Sequence, residues 1–136
     1  MIQKQITIFG KQVNICYCAA TENGYEQISG KNINVFVPKF GKDEKGETIV
    51  KEEAKALTSD YLTLAIAGIV AAYACEKQNP PIESGDIIYN VTPAERNDLI
   101  NTILALRNEW YGVPKVVADS IEEESDEKED EDTEKN

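Results

Sequence analysis

A chain of 136 residues, 41% apolar and 29% charged, has the length and make-up of one globular domain, which excludes a fibre, a membrane-embedded bundle and a multidomain enzyme. Its 25 acidic side chains outnumber 14 basic ones for a net charge of −11, and it contains no histidine. That absence removes Ser-His-Asp and Cys-His catalysis, histidine metal sites and the side chain most used for proton transfer near neutral pH.

Ile6 and Ile8 alternate with Thr7 and Phe9, and Val13, Ile15 and Tyr17 alternate with Asn14, Cys16 and Cys18. Two period-2 runs around Gly10-Lys11 predict a β-hairpin with a II′ turn. A short helix is expected over about 20–28, with Tyr25 and Ile28 inward and Gly30 as its stop. Ile33, Val35 and Val37 alternate before Pro38, which permits an edge strand only. The polar, Gly-bounded turn over 41–46 and the run Glu47–Val50 suggest an exposed hairpin or a long loop.

Thr58 or Ser59 suits a helix cap, Asp60 suits the first turn, and Leu62, Ile66, Ile69, Val70 and Tyr73 follow helical spacing. Alanines fill the opposite side, so a helix apolar nearly all round is expected to run to Gln78, where Asn79-Pro80-Pro81 ends it. Its unbroken apolar run, Leu64 to Cys75, is too short for a membrane span, which needs about 20 residues. The expectation is a central helix, with Gly68 and the alanines allowing close approach. Ser84–Asn90 reads as one short helix. The last helix has the clearest signals: Thr92 as N-cap, Pro93 at N1, Glu95 completing a capping box, and a stripe of Leu99, Ile103, Leu106 and Trp110 widened by Ile100 and Leu104. Gly112 and Pro114 stop it.

From Asp119 onward, eleven acids face two lysines, a net charge of −9 that leaves only −2 on residues 1–118. With one aliphatic residue, Ile121, and no aromatic, this segment cannot bury enough surface to offset its ordering entropy. The expected organisation is therefore a single α+β domain over 1–118, an N-terminal β-hairpin with a mostly helical second half, followed by a disordered acidic tail over 119–136. The tail serves either as a solvating extension or as a contact for a basic partner. The near-neutral body has no Lys/Arg stripe, which argues against nucleic-acid binding.

Cys16, Cys18 and Cys75 follow no secretory signal and are expected to be buried, reduced thiols in a cytosolic protein. Cys16 and Cys18, roughly 6.5 Å apart along a strand, suit a disulfide poorly and lack the further ligands zinc requires. The scattered glycines form no phosphate loop, the acidic run lacks the pattern of a calcium loop, and no carboxylate pairing can be read from the spacings. Arg96 and Arg107, the only arginines, read as solvated on helix faces. No enzymatic activity and no cofactor are expected. The candidate partner-binding residues are Tyr61 and Tyr73 on the central helix and Trp110 and Tyr111 at the end of the last one.

The order of motifs is also informative. Ile6-Thr7-Ile8-Phe9-Gly10 leads to the 17–22 segment from Tyr17 to Glu22, then to Tyr25, Ile28 and Gly30-Lys31-Asn32-Ile33. The Ala-rich helix follows, then Asp86-Ile87-Ile88-Tyr89, and Leu106 to Trp110 before Val113-Pro114. Over residues 5–114 this resembles the tail assembly chaperones of long-tailed bacteriophages and prophages, whose early segment reads Tyr-x-x-x-(Phe/Leu)-Gly-Lys-(Asp/Asn). The resemblance implies a non-enzymatic, self-associating α+β protein in the cytoplasm of the bacterial host. It would coat the tape-measure protein and keep it soluble while tail-tube subunits polymerise. Many such proteins occur in two lengths through a frameshift near the C-terminus. The 38–57 insertion and the strongly acidic tail depart from the family pattern. Two alternatives belong to other classes: a structural tail or head-tail component that stays in the virion, and an acidic inhibitor mimicking DNA, for which the folded part carries little charge.

Overall fold

The computed structural model describes residues 1–112. The tail expected over 119–136, and the end of the domain expected at 118, lie outside the described residues.

Strands β1 (Ile2–Ile8) and β2 (Lys11–Tyr17) pair antiparallel, with Ile8 opposite Lys11 and Ile2 opposite Tyr17. The hairpin is where the alternation places it, but its turn is Phe9-Gly10 and not Gly10-Lys11. Both turn residues have positive φ, 53° and 75°, the pattern of a type I′ turn. That backbone twist matches the right-handed twist of the strands, which outweighs the cost, about 1 kcal/mol, of placing a bulky residue in the left-handed region. The Glu95 carboxylate accepts the Phe9 N–H at 3.0 Å and ties the turn to the last helix.

Helix α1 (Ala19–Ser29) ends at Gly30, whose φ of 73° supplies the left-handed cap. Tyr25 is buried as expected, but Ile28 points outward and is 56% exposed. The alternating Ile33, Val35 and Val37 do not form a strand. Asn32 caps a 3-10 turn over Ile33–Phe36 by accepting the Asn34 N–H, which tightens the backbone and turns Phe36 into the core. Strands β3 (Lys39–Lys42) and β4 (Thr48–Glu52) then form a separate two-stranded hairpin with a register shift at Lys39/Phe40. Of the two alternatives for 33–57, the hairpin forms, over 39–52.

Helix α2 (Thr58–Ala74) is the central element, packed against α1, β2 and the last helix. A side chain at Gly68 would lie 2.7 Å from the Cys16 carbonyl oxygen and 2.8 Å from Ile103 Cδ1, so the glycine permits the crossing. The helix is shorter than expected. Lys77 adopts φ 59°, and the Gln78 N–H closes back on the Tyr73 carbonyl at 3.0 Å, ending the helix before the prolines. Helices α3 (Ser84–Asn90) and α4 (Pro93–Tyr111) match the expected bounds. Thr92 accepts the Glu95 N–H and Glu95 accepts the Thr92 N–H, a complete capping box, and Gly112 closes the far end at φ 70°. Leu99, Ile103 and Leu106 are buried beneath the sheet and α2, Ile100 and Leu104 are half-buried, and Trp110 leaves the core. Among the described residues, no helix is long and apolar enough to cross a membrane.

Candidate partner-binding surface

The four candidate aromatics separate into two environments. Tyr73 is buried, and its hydroxyl accepts the backbone N–H of Asn14 at 3.0 Å, so it caps the edge of β2. Tyr61 is half-buried, with its ring 5.1 Å from Phe36, which in turn lies 4.9 Å from Tyr25. Burial pushes the Tyr61 hydroxyl pKa up despite the nearby Arg107 cation. Both belong to the packing of α2. Trp110 and Tyr111, at the end of α4, are 38% and 52% exposed.

Those two rings frame the buried Tyr17, each centroid 6.4 Å from it. The Tyr17 hydroxyl donates to Glu22 Oε2 at 2.7 Å, and the Tyr111 hydroxyl donates to the same oxygen. One carboxylate on α1 thus holds the end of β2 and the end of α4. Burial first, and Glu22 second, raise the Tyr17 pKa, while at Tyr111 the bond to Glu22 is the larger cause. The Arg107 guanidinium lies 5.1 Å over the Tyr111 ring, a cation–π geometry, and its Nε is buried with no hydrogen-bond partner among the described residues. Arg107 is therefore not the solvated helix-face residue expected. The result is a partly exposed aromatic corner, rigid at its base and open at its rim, with one anchored carboxylate and one stacked cation. Such a corner suits docking of apolar or aromatic side chains, because large rings contribute contact area at low entropic cost.

A second cluster was missed altogether. Asp60, expected only to suit the first turn of α2, is 4% exposed and collects three donors. These are the Leu57 N–H at 2.8 Å, the Tyr25 hydroxyl at 3.1 Å and the Lys31 ammonium at 3.1 Å. Burial alone would raise its pKa, but these donors outweigh it and hold the carboxyl below its usual value. Tyr25 and Lys31 thus fasten α1 and the residue after its cap to the start of α2. The signal available in the sequence was an acid at the third helical position after a non-capping leucine.

Of the three cysteines, Cys18 and Cys75 differ from the expected burial and Cys16 does not. Cys16 is fully buried and its thiol is pushed up to about 12 by desolvation. Cys18, at the start of α1, is half-buried. There burial raises the thiol pKa, but hydrogen bonds from Thr21 and Ala20 outweigh it and hold the thiol below its usual value. Cys75 is exposed, because α2 ends before it. Among the described residues, no three His, Cys, Asp or Glu side chains converge on a point that could hold a metal. No family model, curated protein or solved structure matches this chain.

Proposed function

We propose that the chain is a non-enzymatic phage tail assembly protein that captures the tape-measure protein through Trp110 and Tyr111, which sit on the buried Tyr17. The observation that carries the reading is the exposure of two large aromatics, Trp110 and Tyr111, on a base fixed by Glu22, at the end of a helix whose Leu99, Ile103 and Leu106 are buried. The order of motifs over residues 5–114 supplies the partner: a long, helix-forming protein that presents apolar side chains at regular intervals. Many copies bound along such a partner would cover its apolar face. The acidic segment after Asp119 would then keep the assembly dispersed by charge repulsion and could contact basic segments at low salt. The test is co-expression with the tape-measure protein of the same genome. The tape measure becomes soluble and co-purifies with many copies of this chain, and finished particles lack it. A tape measure that stays insoluble, or this chain in stoichiometric rings in the virion, rejects the chaperone reading, the second result in favour of a structural component.

A further inference from the structure

The core sheet has two strands and therefore two edges, and they are treated differently. The Asn14 N–H leaves the ladder to reach the Tyr73 hydroxyl, and the Cys16 carbonyl accepts the Thr21 hydroxyl at 3.1 Å. The outer edge of β2 is thus closed by side chains. Asn14 lies opposite Gln5, Cys16 opposite Gln3 and Gln12 opposite Thr7. Antiparallel pairs alternate between hydrogen-bonded and non-bonded, so Gln3, Gln5 and Thr7 likewise turn their backbone groups away from β2. Among the described residues nothing bonds to those groups. The edge is seven residues long and carries no proline and no bulge, and its one charge is Lys4. The other hairpin is protected: β3 and β4 are short, shifted in register at Lys39/Phe40, and charged at Lys39, Lys42, Lys51 and Glu52.

We propose that the outer edge of β1 pairs with the β1 edge of a second copy, joining two hairpins into a continuous four-stranded antiparallel sheet across a two-fold axis. The register follows from the sequence. Centring the axis on Gln5 opposes Gln5 to Gln5, Gln3 to Thr7 and Ile2 to Ile8, so all seven residues pair and every outward backbone group finds a partner. In that register Lys4 stands opposite the second copy's Ile6, and no like charges face each other. Centring on Lys4 would oppose two lysines, which is destabilising, and centring on Ile6 would leave Ile2 and Gln3 unpaired. The solvent face also continues in kind. Gln5 already donates to Asn14 and Gln12 to Thr7 across the hairpin, so two facing Gln5 amides would extend an existing polar ladder. The half-buried Ile2, set against the second copy's Ile8, would lengthen the apolar face under α4. This pairing does not rest on the tail-assembly reading.

The test is the mass of the full chain by light scattering coupled to size exclusion. The wild type elutes with the mass of two chains. Gln5→Lys places two lysines opposite each other, and Gln5→Pro removes the central outward N–H without removing a bond to β2. Each variant falls to the mass of one chain while its circular dichroism keeps the wild-type helix signal. Gln12→Lys, on the edge that side chains close, stays at two. A one-chain wild type overturns the proposal, as does a folded Gln5→Lys variant that remains as dimeric as the wild type. The second result would mean that another surface, such as the β3–β4 hairpin, joins the copies.

Discussion

Gly68 and Asp60 show how much of the fold depends on single atoms. A methyl group at Gly68 would press on the Cys16 carbonyl and on Ile103, and neither backbone nor packed isoleucine gives way cheaply. Gly68→Ala should therefore destabilise by about 1–3 kcal/mol, despite the usual preference of helices for alanine, and chemical denaturation will measure it. Asp60→Asn should cost a similar amount, about 1–3 kcal/mol, because it removes charge-assisted bonds from a buried site. It should also change the acid profile. The folded carboxyl has the lower pKa, so its stabilising contribution is fully present above the unfolded aspartate value of about 4 and is lost as pH falls through the folded one. Melting curves in that acid range should fall more steeply for the wild type than for Asp60→Asn, and parallel curves would show that Asp60 is not the linked group. Thiol labelling of the folded chain should modify Cys75 and Cys18, and Cys16 only on unfolding. Equal rates at all three would contradict the burial described here.

At the scale of elements, the apolar stripe of α4 packs against both strands of the sheet. Ile103→Ala and Leu106→Ala should each cost roughly 2–5 kcal/mol, read from denaturant midpoints, whereas losses under about 0.5 kcal/mol at both would place the stripe in solvent. This element was legible in the sequence because its signals are local: a capping box, a proline at N1, a 3.6-residue stripe and a terminal glycine. The β1–β2 hairpin was legible from alternation, although its turn was not: types I′ and II′ suit the strand twist equally, and the Glu95 carboxylate, 86 residues away in sequence, accepts the Phe9 N–H of the turn that forms. Ile33 to Val37 misled because alternation over so few residues does not distinguish a strand from a 3-10 turn capped by Asn32. The end of α2 misled because a lysine took the left-handed position that glycine usually occupies. The site divides the same way. Trp110 and Tyr111 follow a stripe past its last buried turn, and exposure there is readable. Tyr73 and Tyr61 are fixed by Asn14 and Phe36, and contacts across such separations leave no local trace.

For the whole molecule, most of the net charge, −9 of −11, lies in the sequence from Asp119 onward. A chain ending at Ala118 loses nine net negative charges and one aliphatic side chain, Ile121, so its melting temperature should stay close to the wild-type value. A fall of more than about 5 °C, on the order of 1 kcal/mol, would mean that the terminus docks on the body.

We propose that Trp110 and Tyr111 are the side chains this protein presents to its partner. The most direct test is pull-down of the co-expressed tape-measure protein by the wild type and by a Trp110→Ser, Tyr111→Ser double variant, with circular dichroism verifying that the variant is folded. The folded variant should lose at least about tenfold in recovered partner, the effect of removing roughly 1.4 kcal/mol or more of binding free energy from an aromatic anchor. Recovery equal to the wild type, with the helix signal intact, would contradict it.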